Sequence, residues 1–219
     1  RLRIGVIYGG RSSEHEVSIA SAASVIANLN PSRYEPVPIR IERNGRWTLP
    51  DRESTEILEN IVLNPANISD EEPAETLRET HLVADPTDEA IITIEHEPSD
   101  RRQNPGQKTS VVKRLSLDVV FPLVHGPYGE DGTLQGLLEL ANVPYIGAGV
   151  LSSAVSMDKA VAKVLFTARG LPQVSHRIVT GSQWDRNATT VATQIAAELT
   201  YPLFVKPANL GSSIGVSKV

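Results

Sequence analysis

The opening stretch LRIGVIYGG, followed by EVSIASAASVIANLN, limits the choice of fold more than any other part of the chain. An apolar run closing on two glycines reads as a buried strand and turn, and small and apolar residues at helical spacing follow it. Strand, glycine turn and helix open an α/β domain. YEPVPIRIE reads as a second strand whose prolines suit a sheet edge, and NGRWTLP as its hairpin continuation. LDVVFPLVHG predicts a fully buried strand, apolar throughout as parallel strands tend to be. DGTLQGLLELANV predicts a helix starting near Asp131 or Thr133, and VPYIGAG a short strand and turn.

Between 51 and 110 the pattern weakens: EAIITIEHE is a candidate strand and the rest reads as loop or short elements. A change of unit falls near Gly149, giving a first domain over 1–149 and a second, partial unit over 150–219. In the latter, SSAVSMDKAVAKVLFTARG predicts one or two helices closed by Gly170. SHRIVTG predicts a strand, TTVATQIAAELT a helix, and PLFVKP to IGVSKV a hairpin. The fold class is therefore α/β: an open, mostly parallel sheet flanked by helices, then part of an α+β unit.

Composition narrows the function classes. The chain has no Cys, which excludes disulfides, iron–sulfur clusters and thiolate zinc sites. Runs such as VVFPLV fall far short of the roughly 20 residues of a membrane helix, so no membrane role is expected. Arg1 leads straight into a strand with no signal peptide in view, which makes a cytoplasmic location the expectation. A net charge of −5 argues against nucleic acid as partner. Of the 26 acidic and 21 basic side chains, residues 51–110 hold 15 and 5, so an acidic insert sits on a mildly basic framework. Such a framework suits an anionic substrate such as a nucleotide, while a solvated face is the plain account of the insert.

Four stretches carry chemistry. The terminal hairpin puts Lys206 at a strand end and Gly211, Ser212, Ser213 and Gly215 in the connection. Glycine amides, serine hydroxyls and an ammonium together would hold a polyphosphate; an ordinary hairpin with a surface lysine is the alternative. In YGGRSSEHEVS, Gly9 and Gly10 place free amides at a helix start where an anion would sit, and Glu14 serves either the helix terminus or a substrate ammonium. A third glycine in register is missing, which argues against NAD. In HGPYGEDGT, His125 would donate to an oxyanion or carboxylate, or be structural, and Glu130 and Asp131 would orient it or cap the next helix. Lys159 occupies the first turn of a helix, an awkward place for a cation. A nucleotide phosphate would explain it, as would a surface lysine offset by a capping Asp158.

Taken together, GGRSSEHEVS, the 35-residue HGPYGEDGTLQGLLELANVPYIGAGVLSSAVSMDK and PLFVKPANLGSSIGVSKV closely resemble D-alanine:D-alanine ligases of the ATP-grasp superfamily. The resemblance covers 1–50 and about 111–219. It implies a pre-ATP-grasp N-terminal domain followed by part of the ATP-grasp central subdomain, with the C-terminal ATP-grasp subdomain absent. It implies ATP-dependent joining of two D-alanines through an acyl phosphate, for peptidoglycan precursors, in a cytoplasmic homodimer. Glu14 would receive the first D-alanine's ammonium and hold Ser212, the two forming the catalytic set; Val17 and His125 would flank that substrate. Lys159, Lys206 and the Gly211, Ser212, Ser213, Gly215 loop would bind ATP. Ligands for Mg2+ (or Mn2+) would lie beyond residue 219, so a chain ending at Val219 is expected to bind ATP weakly and not turn over. A D-lactate- or D-serine-using ligase shares the frame, and a non-catalytic dimerisation fragment is the alternative of another class.

Overall fold

A computed structural model describes residues 1–49, 78–83, 91–96 and 110–219. Much of the acidic insert, and the sequence expectations that fall on it, lie outside the described residues. The chain divides into two compact units, Arg1–Ser153 and Ala154–Val219.

The first unit is built on a seven-stranded sheet with strand order β6-β5-β4-β3-β2-β1-β7. Strands β1 (Leu2–Gly9), β2 (Tyr34–Ile41) and β7 (Val119–Pro122) form its parallel part, with β1 between the other two. The remaining strands, β3 (Trp47–Leu49), β4 (Arg78–Leu82), β5 (Ile91–His96) and β6 (Ser110–Leu115), add on in antiparallel succession beyond β2. β5 matches the EAIITIEHE expectation. β6 was not foreseen, because Lys113 and Arg114 break its apolar alternation and its pairing partner lies in the acidic insert.

Helices cover both faces, which explains why β1 is apolar at nearly every position. Ile4, Val6 and Tyr8 pack with Ile19, Ala22 and Ile26 of α1 (His15–Asn28) on one face. Ile7, between them in sequence, packs with Val120, Val124 and with Leu134 and Leu138 of α2 (Thr133–Leu140) on the other. Fully burying an aliphatic side chain contributes roughly 1.5–3 kcal/mol, so these two clusters hold β1 firmly under whatever its C-terminal end presents.

Three expectations about the sheet need correcting. β2 is an internal strand, paired along its whole length to β1, but β3 pairs only with Arg40 and Ile41. Pro36 and Pro38, two residues apart, point their hydrogen-less nitrogens to one side, the stretch that β3 leaves open. β7 is not fully buried: Val120 is, whereas Val119, Phe121 and Pro122 are half-buried. It is the last strand of the sheet, and among the described residues one parallel bridge, Val120 to Tyr145, lies on its outer side. That bridge is all that forms of the strand expected in VPYIGAG.

In the second unit, α3 (Val150–Met157), which spans the division, is followed by α4 (Lys159–Ala168), α5 (Gly181–Glu198) and a two-stranded hairpin of β8 (Phe204–Val205) and β9 (Ser217–Lys218). Asp158 separates α3 from α4 by accepting the Ala160 and Val161 amides. Gly170, at φ +68°, ends α4 as its sequence position suggests. SHRIVTG forms no strand: it runs without a partner strand among the described residues, into the Thr180 capping box that starts α5. Inside α5, Asn187 leaves the helix and its Oδ1 accepts the Thr190 amide, so the predicted TTVATQIAAELT helix starts at its own cap.

Candidate functional site

Ligands of open α/β sheets collect beyond the carboxyl ends of the strands, and there the first unit brings together β1, the start of α1 and the segment after β7. One face of α1 does this work. Glu14, Ser18 and Ser21, at helical spacings of four and three, lie along the 123–126 segment. Ser18 is completely buried; its Oγ accepts from the Gly9 amide at 2.8 Å and donates to the Leu123 carbonyl at 2.6 Å. Ser12 Oγ donates to the His125 carbonyl at 2.7 Å and accepts from the Glu14 amide at 3.2 Å. Ser21 Oγ is 3.0 Å from His125 Nε2. The Glu14 carboxylate, 9% exposed, lies against Gly126, where an added Cβ would stand 2.7 Å from its Oε2. Gly126 has φ +72°, so glycine meets both a conformational and a space requirement.

The Gly9 and Gly10 amides are not free for an anion. The first is bonded to Ser18, and the second donates to the Ile41 carbonyl at 2.7 Å. Buried His15 holds the turn from below: its Nδ1 is 2.7 Å from the Gly10 carbonyl, which can only accept, so the hydrogen sits on Nδ1. What this region offers a ligand is therefore side chains, Glu14 and His125, rather than backbone amides.

The loop beyond His125 is tied internally. Glu130 Oε2 accepts the Gly126 amide at 2.7 Å, and Gln135 donates to the Gly129 carbonyl at 2.8 Å. Asp131 accepts the Thr133 amide at 3.0 Å and the Tyr128 amide at 2.9 Å. Partial burial pulls the Asp131 carboxyl upward, but the Thr133 hydroxyl and these amides outweigh it and hold it below its ordinary value. Glu130 thus steadies the backbone next to His125, while Asp131, one residue before the Gly132 cap, accepts the first amide of α2. The Arg11 guanidinium lies 4.8 Å from the Tyr128 ring centre, over this loop. Val17, also on α1, is exposed beside these groups, and its carbonyl accepts from Ser21 at 2.9 Å.

In the second unit, Lys206 follows β8 and is exposed, and Gly211 to Gly215 lie in the connection to β9. Ser212, Ser213 and Gly215 have φ of +47°, +59° and +70°. Two consecutive serines in the left-handed region turn the backbone as glycine would, at a local cost that such loops carry at ligand sites. Lys159 resolves its awkward position by turning back: its amide donates to the Ala208 carbonyl at 3.0 Å and its ammonium reaches the Leu210 carbonyl. Asn209 donates to Asp158 at 3.3 Å. The start of α4 therefore grips residues 208–210, at the root of the glycine–serine connection. The Asp158 carboxyl is held below its ordinary value, first by the Val161 amide, then by Ala160, Asn209 and the neighbouring Lys159.

So Glu14, Val17 and His125 are neighbours in the first unit, and Lys159 meets the hairpin connection carrying Lys206, Ser212 and Ser213 in the second. Sequence reasoning missed Ser12, Ser18, Ser21 and His15. The signal was present: polar residues at 14, 18 and 21 occupy a helix face that amphipathic patterning reserves for apolar ones. Among the described residues, no group of three His, Asp or Glu side chains is close enough to hold a metal ion, and no helix is long and apolar enough to cross a membrane.

Comparison with known proteins places these features in context. The family model described as D-ala D-ala ligase N-terminus matches residues 3–148, and that described as D-ala D-ala ligase C-terminus matches residues 165–219. The D-alanine–D-alanine ligase of Streptomyces coelicolor is 42% identical over 222 residues, covering 99% of this chain and 53% of the relative. That of Mycolicibacterium vanbaalenii is 43% identical, covering 100% and 54%. Among solved structures, the VanG D-Ala:D-Ser ligase of Enterococcus faecalis (33% identity, TM-score 0.73) and the D-alanine–D-alanine ligase of Coxiella burnetii (33%, 0.71) each align with the whole chain, over 55% and 56% of their own. The chain spans about half the length of the relatives it matches.

Proposed function

From the premise that the chain belongs to the D-ala D-ala ligase family, we propose that the protein joins two D-alanines at the expense of ATP. A free carboxylate resists attack by an amine because it is already an anion with a poor leaving group. Transfer of the γ-phosphoryl group to the first D-alanine's carboxylate gives an acyl phosphate; the second D-alanine's amine then attacks its carbonyl carbon, and inorganic phosphate leaves. The protein's share is orientation and charge neutralisation.

The observation that carries this reading is the buried Glu14 carboxylate packed against Gly126, next to His125. A carboxylate in that position receives the ammonium of the first D-alanine, and His125 lies beside its carboxylate, with Val17 flanking the substrate. Lys159 and Lys206 neutralise the ATP phosphates. Gly211, Ser212, Ser213 and Gly215 fold over them, Ser212 serving as a hydroxyl at the transferred group. Mg2+ or Mn2+, when bound, would supply charge neutralisation at the ATP phosphates; among the described residues no group of three His, Asp or Glu side chains would hold it. Formation of a homodimer in the cytoplasm, supplying peptidoglycan precursors, completes the reading.

Phosphate release by the intact protein tests it. D-Alanine-dependent release from ATP, with D-alanyl-D-alanine as product, is the expected result; ATP turnover indifferent to D-alanine would overturn it. The likeness to the D-Ala:D-Ser ligase makes D-serine the competing second substrate, and product analysis with D-alanine, D-serine and D-lactate supplied together decides among them.

A further inference from the structure

Ser21 has no part in the reading above, although its hydroxyl meets the His125 ring. Its Oγ stands 3.0 Å from His125 Nε2 and 2.9 Å from the Val17 carbonyl one helical turn back. A hydroxyl has one hydrogen and can both donate and accept, whereas a carbonyl only accepts. With the hydrogen on the Val17 carbonyl, the contact to His125 is made when Nε2 carries a hydrogen and donates to Ser21. With the hydroxyl turned to the ring, Nε2 accepts and the ring hydrogen moves to Nδ1. The oxygen need not shift between the two arrangements.

The His125 backbone is fixed separately, by Ser12 donating to its carbonyl oxygen at 2.7 Å. Ser21 is the one side chain that bonds the ring among the described residues, and Nδ1 is left for a ligand. A carboxylate at Nδ1 requires a donor there.

We propose that Ser21 is a positioning residue whose two-way hydroxyl holds the His125 ring plane in both tautomers, so that a substrate carboxylate draws the ring from its Nε2–H to its Nδ1–H form. One proton leaves Nε2 and one arrives on Nδ1 through solvent, with no net uptake. The Ser21 hydroxyl keeps its hydrogen and turns it from the Val17 carbonyl toward the Nε2 lone pair. The inference rests on the assignment of His125 to the first D-alanine.

The test uses the intact protein with 15N-labelled histidine, the His125 signals being assigned by their loss in His125→Gln. The free protein should show His125 as the Nε2–H tautomer, and D-alanine should convert it to Nδ1–H. Ser21→Ala should give averaged ring shifts and raise KM for the first D-alanine about tenfold, the order expected for one lost hydrogen bond, with KM for ATP and kcat within twofold. Ser21→Thr, which keeps the hydroxyl, should restore both. Ring shifts and KM unchanged in Ser21→Ala would overturn the proposal, as would failure of Ser21→Thr to rescue. Should His125→Gln leave KM for D-alanine unaltered, the substrate assignment of His125 fails instead, and the ring shifts of Ser21→Ala still judge the contact with Ser21.

Discussion

The start of α1 and the β8–β9 connection are both rich in serine and glycine, yet their serines are used differently. In the first unit, Ser12 and Ser18 are buried and bonded to backbone groups of other segments, so they join strand ends to the helix. In the second, Ser212 and Ser213 are exposed on a left-handed turn, and the segment leading to it is anchored from the side by Lys159 and Asp158. One region is set in advance by its own packing; the other is tethered at its root with its tip toward solvent. On the function proposed above, the first region would orient the small amino acid and the second would cover the nucleotide.

The largest break in this comparison should come from Gly9→Ala. A Cβ there falls well inside contact distance of the Ile41 carbonyl, at φ +85°. Neither backbone segment can yield without disturbing the sheet, so a loss of about 3 kcal/mol or more is expected in denaturant unfolding. Gly215→Ala, its counterpart in the hairpin, meets the Pro207 ring at 2.8 Å with φ +70°. About 1–2 kcal/mol is expected there, mostly visible as weaker ATP binding. If the two glycines prove equally costly to global stability, the contrast between a set and a tethered region is lost.

Ser18→Ala removes a donor and an acceptor from a fully buried position and leaves Gly9 N–H and Leu123 C=O unpaired. Roughly 2–3 kcal/mol of stability should go with them. Lys159→Met should behave oppositely: stability within about 0.5 kcal/mol, as for a surface change, but KM for ATP raised by about tenfold or more through loss of a charge-assisted contact. An unchanged KM would remove Lys159 from the phosphate site and leave it the role of anchoring 208–210.

The smallest effect is a pH dependence shared by both regions. Asp131 and Asp158 have folded-state pKa values below the ordinary 3.8. Each therefore contributes stability that is complete above the unfolded value and is lost as pH falls through the folded one. The amide resonances of Thr133, and of Ala160 and Val161, should shift together with their capping carboxylates in an acid titration. Resonances that stay put throughout the titration would show that these contacts do not depend on ionisation.

Much of the frame was legible in sequence because local signals and tertiary packing agree. The two-glycine stop after β1, the break at Asp158 between two helices, Gly170 and the terminal hairpin each stand where their residues suggest. What was not legible depended on partners distant in sequence. SHRIVTG has strand composition but no neighbour to pair with among the described residues, and β6 pairs with a strand inside the insert. The Gly9 and Gly10 amides looked available because nothing local bonds them; Ile41 and Ser18 reach them across the fold. The serine face of α1 was readable as helix but not as site, since its partners at 123–125 come more than a hundred residues later.

Among the described residues, the antiparallel strands β3 to β6 are hydrogen-bonded to the parallel frame at two ladder positions, Arg40 with Thr48 and Ile41 with Trp47. A wing hydrogen-bonded along so narrow a seam can be lengthened or trimmed while the parallel strands keep their register. Ile41 is the exception, since its carbonyl also receives the Gly10 amide. Any remodelling of the wing that strains this one peptide will be felt at the turn before α1.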